Sequence, residues 1–179
     1  TKNIEDEAVE QLKNLAAQTF TPKKILKMAP QKLDHKHVDR LKTQRQFLAL
    51  VLMLPSLREF IGRVTTDMLV DEEGQKVLRF LQANPDFTGD PQTAKQLKEV
   101  EQSVRILALL YEELYQDLEV LELRYEAARL QVRLIGQYVK TEKERLAGLM
   151  QASDEANTDE LLEQAKKLDV LLKRTKSEI

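Results

Sequence analysis

The chain has 179 residues and a mass of 20.7 kDa, which suits one domain with an appended element and excludes a multidomain enzyme. Charged residues make up 32 % and hydrophobic residues 42 %, as in folded proteins. Cysteine is absent, which excludes disulfides, thiolate metal sites and cysteine nucleophiles. The longest apolar run, Phe47 to Leu54, is too short to span a bilayer, and no signal peptide opens the chain, so we expect a cytoplasmic protein.

Charge is balanced overall, with a formal net value of −2, but it is distributed unevenly. Residues 21–45 contain eight Lys or Arg and two Asp, whereas residues 67–126 contain six basic and fourteen acidic side chains. Nucleic-acid binding needs concentrated basic residues, so the whole chain is not expected to be a nucleic-acid binder. A contact between segment 21–45 and DNA stays open, although a solvated connector is the expected reading.

The composition predicts an all-α protein. Thirty residues are Leu, while β-branched and aromatic residues are few, and no Asn-Gly or Asp-Gly hairpin signal occurs. We expect three regions: an N-terminal helix with a basic linker over residues 1–40, a helical bundle over 41–136 and a C-terminal helical hairpin over 137–179.

Five elements are predicted before residue 90. A first helix is expected over Ile4–Ala17, followed by a linker with one helical turn around residues 25–28. A central helix is expected from Asp39, as its N-cap, to Leu54, because Pro55 cannot continue it. Ser56 is predicted to cap a short helix, and Asp71 to cap another that ends at Asn84.

Asp90 followed by Pro91 predicts the start of a long helical region, because Pro favours the first helical position. An unbroken helix from here would be about 90 Å long at 1.5 Å per residue, so we expect a break near residues 112–116. Apolar residues at spacings of three and four predict one seam, interrupted only by Glu142: Tyr111, Leu114, Leu118, Leu121, Tyr125, Ala128, Val132, Ile135, Val139, Leu146 and Leu149. A second stripe consists of Leu110, Leu123, Leu130 and Leu134, which predicts that neighbours wrap the first part of the region.

The last helix is predicted to turn back on this seam. Asn157 and Glu160 resemble a capping box after the polar turn 153–156. The helix has a matching seam of its own, made of Leu161, Ala165, Leu168, Leu172, Thr175 and Ile179. Two antiparallel helices joined by a tight loop are expected.

The sequence offers no residues for catalysis, and we predict no catalytic, metal-binding or cofactor-binding site. No phosphate-binding Gly-rich loop or nucleophile elbow occurs. His35 and His37 have Asp34 and Asp39 nearby, but a zinc site needs three or four rigidly held ligands, so we interpret them as exposed linker histidines. The four tyrosines, which all lie in the long helical region, are expected in the core.

The last helix also carries apolar residues away from its seam. Val170 lies nearly opposite the seam, Leu171 lies off it, and Lys167 and Arg174 surround the pair. Such a group suits docking onto a partner's helices. We therefore predict a partner-binding set made of Leu162, Lys167, Val170, Leu171 and Arg174.

Two segments give the chain a family resemblance. The stretch QFLALVLMLPSLREF, residues 46–60, resembles the opening of the C-terminal helicase-binding domain of bacterial replicative primase (DnaG type), with a Leu-rich helix, a Pro-centred break and a short helix. The tail is similar too, from Leu130, Arg133 and Leu134 through Glu142 and Arg145 to DELL at 159–162 and LLK at 171–173. With the matching helix order, the resemblance covers residues 41–179.

The resemblance implies a bundle with a protruding hairpin, and a non-catalytic role in binding the N-terminal collar of the hexameric replicative helicase. Such a domain recruits primer synthesis to the replication fork, near the nucleoid, and modulates the helicase. Two alternatives stay open: the N-terminal collar domain of a replicative helicase, which would self-assemble into a ring, and a coiled-coil adaptor or chaperone subunit. A chain whose seam is satisfied within the hairpin is expected to be a monomer on its own.

Overall fold

A computed structural model describes residues 31–152 and 155–177, and these residues contain α-helices, 3-10 helices and turns but no strand. The described residues form five α-helices: α1 (Gln31–Met53), α2 (Glu72–Ala83), α3 (Glu101–Leu114), α4 (Val120–Ala152) and α5 (Glu155–Ser177). The all-α prediction is confirmed. The predicted helix Ile4–Ala17 and the turn at 25–28 lie outside the described residues. Contacts within the chain divide it into two units after His37, and the second unit begins at Val38.

The core surrounds the C-terminal half of α1. Six consecutive residues, 47–52, are each at most 1 % exposed, which means that this part of α1 is covered on every side. The helix begins at Gln31, so the predicted start at Asp39 is wrong. Asp39 lies inside the helix, where its carbonyl accepts a hydrogen bond from the Thr43 hydroxyl at 2.9 Å. No proline interrupts residues 31–54, which lets the helix extend through the lysine-rich segment.

Two predicted caps had opposite outcomes. Asp71 caps α2 as expected, because its Oδ1 accepts from the Gly74 N–H at 2.8 Å. Ser56 does not cap the helix after α1. That element is a 3-10 helix, Pro55–Arg63, whose N-cap is Leu54, and proline takes the first position.

The long helical region is divided twice. Asp90 caps at its predicted position, accepting from the Gln92 N–H at 2.9 Å, but it opens only two 3-10 helices, Pro91–Thr93 and Lys95–Val100. The α-helix α3 begins later, at Glu101, so the predicted start at Asp90 is wrong. Burial of Leu97 and Val100, three residues apart, suits the three-residue turn of a 3-10 helix. The break predicted near residues 112–116 is confirmed, since α3 ends at Leu114 and α4 begins at Val120.

The helices α4 and α5 form the antiparallel hairpin. Helix α4 is about 50 Å long and α5 about 35 Å, at 1.5 Å per residue. The first part of α4 packs on the 3-10 helices 55–63 and 66–68, and the later part pairs with α5. Helix α5 begins at Glu155, so Asn157 lies inside it and the predicted capping box at Asn157 is wrong.

Helix α4 uses its two predicted stripes differently from expectation. The second stripe faces the body of the domain, by which we mean α1–α3 and the 3-10 helices between them, since Leu123, Leu130 and Leu134 are at most 6 % exposed. The predicted seam is fully buried at Ile135, Val139 and Leu146, in the part of α4 that pairs with α5. Of the other seam residues, Tyr111, Ala128 and Val132 are partly buried, whereas Leu114, Leu118, Leu121, Tyr125 and Leu149 are exposed, most of all Leu121 at 79 % and Tyr125 at 70 %. The expectations that neighbours wrap this part of the seam and that Tyr125 is a core residue are both wrong.

Candidate protein-interaction face

The inner face of α5 is its predicted seam. Leu161, Ala165, Leu168 and Leu172 are all partly buried, and Thr175 is 1 % exposed. Ile179, the last predicted seam residue, lies outside the described residues. Because one face is committed to α4, the opposite face of α5 points away from the hairpin.

The outer face of α5, which we define as Leu162, Glu163, Lys166, Lys167, Val170 and Arg174, carries exposed apolar and basic side chains. Val170, directly opposite the seam, is 50 % exposed, and Leu162 is 45 % exposed. A shallow hollow around Val170 is lined by Glu163, Lys166 and Lys167. Residues 166–176 include five basic side chains and one acidic side chain, which makes this half of the helix positive.

Four of the five predicted partner-binding residues belong to this outer face. The side chains of Leu162, Lys167, Val170 and Arg174 are exposed. Leu171 is placed differently: it is partly buried and packs against the core cluster of the body. Packing of Leu171 on the body leaves less of its surface for a partner.

The C-terminal end of α5 is anchored on the body of the domain. Arg63 donates from Nη1 to the carbonyl of Arg174 at 3.2 Å. Thr175 lines a hollow together with Gln131 of α4 and with Phe60, which belongs to the same 3-10 helix as Arg63. The outer face is therefore presented by a helix that is held at its C-terminal end.

Further contacts hold α4 against the body near the point where the hairpin leaves it. Gln131 donates from Nε2 to the carbonyl of Phe60 at 2.7 Å, and the Tyr138 hydroxyl donates to Asp67 Oδ2 at 3.0 Å. Burial and the neighbouring Asp67 carboxylate raise the pKa of Tyr138 to about 12. The hydrogen bond from the Thr65 hydroxyl lowers the pKa of Asp67 most; burial opposes this shift, and the hydrogen bond from Tyr138 lowers the pKa further.

A groove that the sequence did not predict lies along α4 and α5. It has a volume of about 420 Å³, and its lining includes Gly136 and Ala147 of α4 and Leu172 of α5. Lys143, which also lines it, forms an ion pair with Asp169 across the arms. The small residues Gly136 and Ala147 were the available sequence signal, but spacing alone does not reveal which side of the seam they take.

The remaining candidate groups are dispersed. His35 and His37 are exposed side chains on α1. Within residues 31–152 and 155–177, no three His, Asp or Glu side chains are grouped closely enough to hold a metal ion. No helix in the described part of the chain combines the length and the apolar character needed to cross a membrane.

Comparisons with protein-family models, with curated proteins and with solved structures found no match to this chain.

Proposed function

We propose that this chain is a non-catalytic protein-interaction domain of the primase helicase-binding type, which binds a hexameric replicative helicase through the outer face of α5. The observation that carries the proposal is the half-exposed Val170, surrounded by lysines on the side of α5 that α4 does not cover. The leucine patterns at 46–60 and 130–173 support the choice of helicase as partner.

The chemistry of the outer face indicates how a partner would be recognised. Val170 and Leu162 offer apolar area, and interfaces gain most of their affinity from a few such central residues. Lys167 and Arg174 favour an acidic partner surface, which would speed association and make it dependent on salt. Anchoring of α5 through the Arg174 carbonyl presents these groups with little ordering required on binding.

The test is a titration of the fluorescently labelled chain with the cognate hexameric helicase, followed by anisotropy. Val170→Asp should weaken binding at least tenfold, or about 1.4 kcal/mol, since it places a charge in the apolar centre. Val38→Asp is the matched control, because Val38 is 58 % exposed on α1 and should bind within twofold of the wild type. Equal affinity of Val170→Asp and the wild type would overturn the assignment of this face, and absence of wild-type binding would overturn the assignment of the partner.

Point variants are a sharper test than deletion of residues 157–179. Deleting that segment should abolish helicase binding, but it would also uncover α4 residues beside Leu172 of α5, such as Gly136 and Val139. A loss of binding would then have two causes. Sedimentation of the intact chain separates the other assignments: a stable hexamer would favour the helicase collar, and a dimer would favour a coiled-coil adaptor.

A further inference from the structure

The hairpin seam continues along α4 beyond the region that α5 covers. Leu121 and Tyr125 precede the buried Ile135 and Val139 by fourteen residues each, which is two heptads, so all four lie on one face of α4. Thr175, near the described end of α5, lines the same hollow as Tyr125 and Ala128. Leu121 and Tyr125 are therefore seam positions that the described part of α5 does not cover.

More apolar surface lies beside these two positions, in residues 112–125, which we call the α3–α4 corner. Leu114 and Leu118 are 45 % and 38 % exposed, and Val120 is 64 % exposed. Leu121 and Tyr125, four residues apart on α4, are neighbours on the helix surface. Five large apolar side chains are thus exposed within twelve residues, which is a denser grouping than the scattered apolar residues on the surface of an ordinary monomer.

The α3–α4 corner is strongly acidic. It carries five exposed carboxylates: Glu112, Glu113, Asp117, Glu119 and Glu122. The corner contains one basic residue, Arg124, and that side chain forms an ion pair with Glu59 outside the corner. The corner thus combines an open apolar seam with an unbalanced negative charge.

We propose that the α3–α4 corner binds a basic amphipathic helix of a partner protein. The partner helix would place apolar residues against Leu121 and Tyr125, on the same face of α4 that pairs with α5 nearer the C-terminal end of α4. Lysines or arginines at its edges would face carboxylates such as Glu119 and Glu122. A second copy of the corner is disfavoured as partner, because a two-fold contact would bring like charges together. This proposal is independent of helicase binding, since it uses a different helix and the opposite charge.

Three synthetic peptides of 21 residues provide the probe. All three carry leucine at the same heptad positions and differ only in their flanking residues, which are lysine, glutamine or glutamate. Each is titrated against the full chain by fluorescence anisotropy. The lysine peptide should bind at least tenfold more tightly than the glutamine peptide, and the glutamate peptide should bind least. The affinity of the lysine peptide should fall as NaCl is raised from about 50 to about 500 mM, because salt screens charges at this surface.

The double variant Leu121→Ser/Tyr125→Ser tests the apolar part. Both side chains are exposed, so circular dichroism should show an unchanged fold, while the affinity for the lysine peptide should fall at least tenfold. Val38→Ser, at an exposed apolar residue of α1 outside both proposed surfaces, is the matched control and should bind as the wild type does. Equal affinity for the three peptides, or for the double variant and the wild type, would overturn the proposal. So would a wild-type dimer that the double variant dissociates, because the occupant would then be a second copy.

Discussion

Arg58 donates hydrogen bonds to carbonyls at the C-terminal end of α1, and its loss should strongly lower the free energy of unfolding. The N–H of residue 55 would normally satisfy the Val51 carbonyl, but residue 55 is proline and has none. Arg58 supplies the missing donor from Nε at 3.1 Å, and its Nη2 donates to the Leu52 carbonyl at 3.2 Å. Its Nη1 donates to the carbonyls of Pro85, at 3.1 Å, and Phe87.

The magnitude follows from burial and from the number of acceptors. Arg58 is 8 % exposed, and burial lowers its pKa, so part of the stabilisation offsets the cost of removing its charge from water. Truncation to alanine leaves the carbonyls of Val51 and Leu52 without their donor, and at about 1–3 kcal/mol for each buried acceptor left unsatisfied the loss should be about 3–5 kcal/mol. At about 2–4 °C per kcal/mol for a chain of this size, Tm should fall by about 6–20 °C.

The assay is urea denaturation followed by circular dichroism at 222 nm. Arg58→Ala should lower the free energy of unfolding by about 3–5 kcal/mol. Arg58→Lys should recover only part of it, because one ammonium cannot donate along the directions that the guanidinium uses. Arg79→Ala, at an exposed arginine of α2, is the control and should stay within about 0.5 kcal/mol of the wild type. An Arg58→Ala variant within about 1 kcal/mol of the wild type would refute this account of the helix end.

Two further predictions concern stability. The pKa of Asp67 is lowered in the folded state, so the unfolded chain binds more protons in acid, and the stability that Asp67 contributes is lost as pH falls below the usual Asp pKa of 3.8. Asp67→Asn should therefore make the free energy of unfolding less dependent on pH in this range. Denaturation midpoints between pH 5 and pH 2 check this, with Tyr138→Phe, which removes one of the hydrogen bonds to Asp67, as the control. Gly74→Ala should destabilise by about 1–3 kcal/mol despite the better helix propensity of alanine, because its Cβ would lie 2.2 Å from Nε2 of the buried Gln44. Gly148→Ala, in α4 with open space around it, should instead stabilise by about 0.5–1 kcal/mol, and thermal melts of the two variants that shift in the same direction would contradict this reasoning.

Local signals in the sequence predicted several parts of the fold directly. Asp71 caps α2 because its acceptor reaches an amide three residues away, a relation that needs no tertiary contact. Spacings of three and four along α5 placed Leu168 and Leu172 on its inner face, and both are partly buried, with Leu172 beside Gly136 of α4. The same spacing places Val170 on the opposite face, where it is 50 % exposed.

Other features were outside the reach of local patterns. Pro55 correctly predicted the end of α1, but only the tertiary structure shows that Arg58 satisfies the Val51 carbonyl and also donates to the carbonyl of Pro85. Heptad spacing correctly grouped Leu121, Tyr125 and Ile135 on one face of α4, yet Ile135 is buried and the other two are exposed. Spacing determines which residues share a face. Whether that face is buried depends on how far the neighbouring helix extends, and the described part of α5 leaves Leu121 and Tyr125 uncovered.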